Sequence, residues 1–118
     1  MGITFIEGTV TGPTGEQRQV EFLIDSGASY SLLPEQVWHA VGLQPKREVT
    51  FTLADGTHIR RRVSECHIAL ADQEGHTPVI LGEPGDGQAL LGAVTLEVLG
   101  LVLDPFKRTL RSMQFHLA

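Results

Sequence analysis

Cys66 is the single cysteine among 118 residues, so an intramolecular disulfide is excluded. A reducing compartment suits such a chain, and the expected location is cytoplasmic. Long apolar runs are also missing. The richest stretch, Ala89 to Leu103, is interrupted by Gly92, Thr95, Glu97 and Gly100. It is too short and too broken to cross a bilayer. The opening residues MGITFIEGTV carry no basic segment and no long apolar stretch, so neither a signal peptide nor a membrane partner is expected. Positive charge is in deficit: 9 Lys and Arg stand against 14 Asp and Glu, a formal net charge of -5. A nucleic-acid partner would want a basic surface. The only basic run is Arg60-Arg61-Arg62, read as a solvated hairpin arm or, functionally, as a bias toward acidic peptides.

Two kinds of chemistry lack their patterns. The 5 histidines show no H-x-x-x-H or H-E-x-x-H spacing. Cys66 and His67 are neighbours, which point to opposite faces of a strand. No metal site and no cofactor are expected. No G-x-S-x-G elbow surrounds Ser26 or Ser29, which removes the serine-nucleophile reading.

What remains is an ordinary globular balance, 42% apolar and 19% charged, on a length that suits one domain over residues 1–118. A chain of this size buries roughly two-thirds of its unfolded surface. Its 13 glycines and 6 prolines punctuate the sequence as turns between short strands do. Ile3–Val10 and Gln19–Ile24 read as a hairpin, with Val20, Phe22 and Ile24 on one face and Gln19 and Glu21 on the other. Pro34–Val41 reads as a short helix that Gly42 ends. Val49–Ala54 and Thr57–Val63 flank Asp55-Gly56, a hairpin signal. A two-residue loop there would set Leu53, Phe51 and Val49 opposite His58, Arg60 and Arg62. His67–Leu70 and Thr77–Leu81 follow as strands, with Asp72–Gly75 as their turn. Beyond a loop at Gly82–Gly87 come a strand at Gln88–Leu91 and a helix at Ala93–Leu99 closed by Gly100. Leu101–Asp104 and Leu110–Leu117 would finish the sheet. The sum is a small strand-rich barrel or sandwich with one or two short helices.

Residues 22–29, FLIDSGAS, drive core residues straight into an acid. Burying an ionised carboxylate is costly, so the chain should emerge from the core at Asp25. Ser26 adds a hydroxyl, Gly27 a permissive backbone, and Ala28 and Ser29 leave room beside the acid. Asp-Ser-Gly alone is also ordinary turn chemistry. A second stretch, ALLGAVTLEVLGLVLDP at residues 89–105, runs two leucines into Gly92, then a helical segment and an apolar strand.

Together FLIDSGAS, the hairpin around Asp55-Gly56 and LLG resemble the retropepsin-like (retroviral-type, single-domain) aspartic proteases over most of the chain. That resemblance implies a closed, mostly antiparallel β-barrel with a flap hairpin. It implies that Asp25 is catalytic and that Ser26, Gly27 and Ala28 support the active-site loop, with Ser26 where Thr is commoner. Ala54, Asp55 and Gly56 would form the flap over bound peptide. Leu90, Leu91 and Gly92 would pack beside the loop.

Peptide hydrolysis of this kind needs two carboxyls about one water, one accepting a proton and one donating. Asp55-Gly56, Asp86-Gly87 and Asp104-Pro105 lack the hydroxyl residue, so one chain supplies half a site. A two-fold homodimer is expected, paired through Ile3–Ile6 and Met113–Leu117, with a peptide or protein substrate gripped as an added strand. Leu32, Leu33, Leu53, Ile59 and Ile80 are candidate pocket residues, and Trp38 should pack its helix onto the barrel. The competing reading is a non-catalytic peptide-binding or assembly module that retains the fold.

Overall fold

Side-chain alternation sets the strands of the computed structural model, which describes residues 3–70 and 72–117. Strands β1 (Phe5–Thr11) and β2 (Gln17–Ile24) form the first hairpin, in register from Phe5 opposite Leu23 to Thr11 opposite Gln17. Val20, Phe22 and Ile24 are buried while Gln19 and Glu21 are exposed, which gives β2 one core face. Then follow β3 (Ser31–Leu33), α1 (Glu35–Ala40), β4 (Arg47–Thr52) and β5 (His58–Leu70). The chain continues through β6 (Gln73–Leu81), β7 (Ala89–Leu91), α2 (Ala93–Leu99), β8 (Leu101–Asp104) and β9 (Thr109–Ser112).

Neighbouring strands run β1-β2-β7-β3-β6-β5, and β5 returns to β1 from Gly8–Leu70 to Thr11–His67. That circuit is a closed barrel, which removes the free edges an open sheet would expose. The β2–β7 and β3–β6 seams are parallel and the others antiparallel. The barrel is therefore all-β and mostly antiparallel, as expected, with β4 hydrogen-bonded to β5 outside the circuit. Phe22, Leu33, Ile68, Leu70, Leu81 and Leu91 fill its interior and are fully buried. Among the described residues no helix is long and apolar enough to cross a membrane.

Both helices end as their glycines dictate. Gly42 and Gly100 adopt φ +77° and +69°, a left-handed conformation that costs glycine little. Pro34 stands one residue ahead of the helix proper, at its N-cap. The buried Trp38 fastens α1 to the barrel, and its indole N–H donates to the Gly82 carbonyl at 3.0 Å.

Four sequence expectations need correction. The flap loop is longer than two residues: Leu53 N–H donates to the Thr57 carbonyl at 2.7 Å and Gly56 N–H to the Leu53 carbonyl at 2.9 Å, with Gly56 at φ +87°. This is a turn closed by a glycine bulge. It sets Phe51 opposite Ile59 and Val49 opposite Arg61, not opposite Arg60 and Arg62. Second, the separate strands expected at Thr57–Val63 and His67–Leu70 are one strand, β5. Buried Ser64 breaks the apolar period without breaking the ladder. Third, Gln73–Gly75 belong to β6, paired with Ile68–Leu70, and not to a turn.

Fourth, the C-terminal segments do not extend the barrel sheet. The Asp104 carboxylate accepts the N–H groups of Phe106 and Lys107 at 3.0 and 3.1 Å. That local cap reverses the chain, so β8 pairs with β9 alone, from Leu101–Ser112 to Asp104–Thr109. Met113–Leu117 have no strand, and Met113 N–H donates to the Gly100 carbonyl at 2.7 Å. Because Phe22 lies at the centre of the closed barrel, Phe22→Ala should cost about 3–5 kcal/mol in chemical denaturation, with an unchanged spectrum of the folded form.

Candidate active site

The barrel brings the two sequence motifs side by side. Parallel pairing sets Phe22, Leu23 and Ile24 against Ala89, Leu90 and Leu91. The last bond of this seam reaches the acid itself, because Asp25 N–H donates to the Leu91 carbonyl at 2.9 Å. The chain then turns. Ala28 N–H donates to the Asp25 carbonyl at 3.1 Å, and Gly27 N–H donates to Asp25 Oδ1 at 3.1 Å. The backbone is thus fixed on both sides of Asp25 while its carboxylate stays exposed.

Helix α2 locks this loop from beneath. The first N–H groups of a helix lack partners within it. Here Ala93 N–H donates to the Ala28 carbonyl at 2.8 Å and Val94 N–H to the Ser29 carbonyl at 2.9 Å. The approach is so close that a Cβ on Gly92 would lie 2.6 and 2.7 Å from the Tyr30 carbonyl carbon and oxygen. Only glycine fits there. Gly27 has a milder reason for its identity: it is not in the left-handed region, and an added Cβ would meet Asp25 Oδ1 at an ordinary 3.4 Å.

A buried hydroxyl chain, missed in the sequence, braces the same junction. Gly92 N–H donates to Ser31 Oγ at 3.0 Å; Ser31 Oγ and Thr95 Oγ1 lie 2.6 Å apart, and Thr95 Oγ1 and Thr77 Oγ1 2.8 Å apart. The Thr77 hydroxyl donates to the Pro78 carbonyl at 3.4 Å. One direction of donation, Ser31 to Thr95 to Thr77 to Pro78, gives each hydroxyl a role as both donor and acceptor. The available signal was Ser31 and Thr95, polar residues at positions where the strand and helix periods demand core.

Beside Asp25 lies a cleft of ≈ 490 Å³. Gly27, Ala28, Leu32, Ile80 and Leu90 form its floor and wall, and Phe51, Leu53, Ala54 and Ile59 of the β4–β5 hairpin form its roof. Of the candidate pocket residues, Leu32, Leu53, Ile59 and Ile80 line it, while Leu33 is fully buried in the core. Asp55 and Gly56 sit at the exposed hairpin tip, outside the cleft lining. Thr57 donates its hydroxyl at 2.6 Å and its N–H at 2.9 Å to Asp55 Oδ1, and these bonds hold that carboxyl below its ordinary 3.8. Ser26 faces a different groove, with Ala93, Leu96, Leu101 and Leu103.

Tyr30 joins the loop to the base of the hairpin. Its hydroxyl accepts from Arg47 at 2.9 Å and its ring meets Phe51 edge-on at 5.6 Å. Alternation along β5 divides the three arginines. Arg60 pairs with Glu48 at 2.7 Å, Arg62 lies over the Trp38 ring at 5.5 Å, and Arg61 alone enters the cleft.

The family model described as gag-polyprotein putative aspartyl protease matches residues 11–98. The chain belongs to that retropepsin-like aspartyl protease family. No curated protein matches it. The matched span contains the DSGAS loop, the β4–β5 hairpin and LLG, the three features on which the resemblance rested. The β8–β9 hairpin lies beyond the matched span.

Among the described residues no cluster of His, Cys, Asp and Glu is arranged to hold a metal ion. Cys66 is buried, and burial pushes its thiol up from 9.0 to about 12. A neutral thiol is therefore favoured in the folded state. Its contribution is complete below pH 9.0 and is lost as pH rises toward about 12. The stability difference between wild type and Cys66→Ala should shrink over that range in pH-dependent denaturation. Thr95→Val should cost about 1–3 kcal/mol by the same method, because it leaves the buried Ser31 O–H without an acceptor and Thr77 Oγ1 without a donor at nearly constant volume.

Proposed function

We propose that the chain is an aspartic endopeptidase that works as a two-fold homodimer, with one Asp25 from each protomer at the axis. The observation that carries this reading is a carboxylate beside a cleft whose backbone is bonded on both sides, in a sequence with no second Asp-Ser-Gly or Asp-Thr-Gly to supply its mate. Asp86 also borders the cleft. However, its Oδ2 accepts the Glu83 N–H at 2.8 Å and faces Arg61, and it is followed directly by Gly87 with no hydroxyl residue between, so it lacks the pattern of the Asp25 loop.

In the dimer the two carboxyls would share one proton, since two acids about 3 Å apart do not both ionise. The ionised Asp25 takes a proton from the bound water as its oxygen attacks the scissile carbonyl carbon. The protonated Asp25 gives its proton to the carbonyl oxygen. Collapse of the resulting gem-diol breaks the C–N bond, with a proton delivered to the leaving nitrogen. Ser26, which makes no hydrogen bond among the described residues of its own protomer, is free to bond across the axis. Gly27 and Ala54 would contact the substrate backbone, and Asp55 and Gly56 would come over it when the flap folds down.

Ile3–Ile6 and Met113–Leu117 were the expected adhesive; because Met113–Leu117 form no strand, the interface proposed instead is the β8–β9 hairpin. An isolated two-stranded ribbon is marginal in water, and this one has outer edges unpaired within the described protomer. Its turn carries Phe106 at 96% exposure, and Phe115 and Leu117 nearby in sequence are also exposed. The Ser26 groove runs directly to β8 through Leu101 and Leu103. Two hairpins meeting at the axis would form a four-stranded sheet and bring the DSG loops together.

Asp25→Asn should abolish peptide cleavage by at least about a thousandfold while sedimentation still reports a dimer. A strictly monomeric species that cleaves peptide would overturn the proposal. Stable peptide binding without turnover in the wild type, from acidic to neutral pH, would favour the binding-module reading instead.

A further inference from the structure

We infer that the Arg61–Asp86 end of the cleft is a subsite for a carboxamide, the uncharged amide group of the bound peptide. This inference rests on the endopeptidase reading and adds a chemical specificity to it. Most of the lining is apolar, from Leu32, Ile80 and Leu90 below to Phe51 and Ile59 above. Arg61 and Asp86 interrupt it, one from β5 in the hairpin and one from the loop at 82–87.

The two side chains are placed but not saturated. Arg61 is 22% exposed, with Nη1 3.4 Å from Glu83 and Nε 3.9 Å from Asp86. Neither contact is a hydrogen bond; its guanidinium donates only to the Arg60 carbonyl, at 3.3 Å. A guanidinium has five N–H donors in a fixed fork, so several remain for a ligand. Asp86 engages Oδ2 with the Glu83 N–H and with Arg61, and Oδ1 has no hydrogen bond among the described residues. The cleft thus presents a donor array beside a free acceptor.

Charge decides what group fits. An acidic side chain would satisfy Arg61 but face the carboxylates of Asp86 and Glu83. A basic side chain would satisfy Asp86 but face Arg61. A carboxamide offers its oxygen to Arg61 and its N–H to Asp86 Oδ1 without adding charge. The amide can come from a Gln or Asn side chain or from the peptide backbone. Both sources share the same chemistry, and only the first makes cleavage depend on one residue type.

The test uses a peptide series in which each position near the cut is Gln, Asn, Glu, Lys or Leu in turn. It reads kcat/KM with wild type and binding by anisotropy with Asp25→Asn. A side-chain subsite predicts one position at which Gln or Asn exceeds Glu, Lys and Leu by about tenfold. Arg61→Met and Asp86→Ala should each flatten that preference, mainly through KM. A backbone subsite predicts equal loss for every peptide in both variants, with no residue preference. Cleavage and binding that proceed unchanged in both variants would overturn the inference and leave the endopeptidase reading intact. No cleavage and no peptide binding by any form would overturn both.

Discussion

The bond from Asp25 N–H to the Leu91 carbonyl joins chain segments far apart in sequence, and the site depends on it. It is the last rung of the short parallel seam between β2 and β7. Parallel strands cannot be joined by a tight turn. The intervening chain must therefore travel around the barrel before Leu90-Leu91-Gly92 can lie beside Phe22-Leu23-Ile24. The β1–β5 pairing closes the barrel and so fixes which strands lie beside each other. The acid is thus positioned by main-chain geometry, while its side chain is left exposed.

Support beneath the loop is of two kinds. Backbone carbonyls at Ala28 and Ser29 satisfy the first N–H groups of α2, and the Ser31–Thr95–Thr77 hydroxyls fill the buried space behind them. Both require Gly92, because any side chain there would enter the Tyr30 backbone. The loop, the helix and β7 therefore form one unit. Above the cleft, the hairpin is tied down at its base through Tyr30, Arg47 and Phe51, and its tip at Asp55-Gly56 is exposed.

Much of this was legible in the chain. Alternation in QVEFLI marked β2, the glycines at 42 and 100 marked the helix ends, and the limits of α2 and β8 follow from Ala93–Leu99 and Leu101–Asp104 as read. The DSG and LLG motifs located the loop and its neighbour. Register was harder. The Asp-Gly pair signals a hairpin but not its loop length, and one residue of slip exchanged Arg61 for Arg60 and Arg62 on the cleft face. The hydroxyl chain stayed hidden because Ser31, Thr77 and Thr95 become partners only through tertiary contact. The separate β8–β9 sheet escaped because nothing in its apolar pattern says which strand it will pair with.

The proposed function reduces to a count of acids: the chemistry requires two carboxyls, and the sequence carries one Asp-Ser-Gly. The most direct measurement is the separation of the two Asp25 carboxyls in a crystal structure of the assembled protein. The account predicts a dimer with those oxygens within hydrogen-bonding range of each other or of one shared water. Carboxyls held far apart in every assembly, with no movement of the β8–β9 hairpins able to join them, would contradict it.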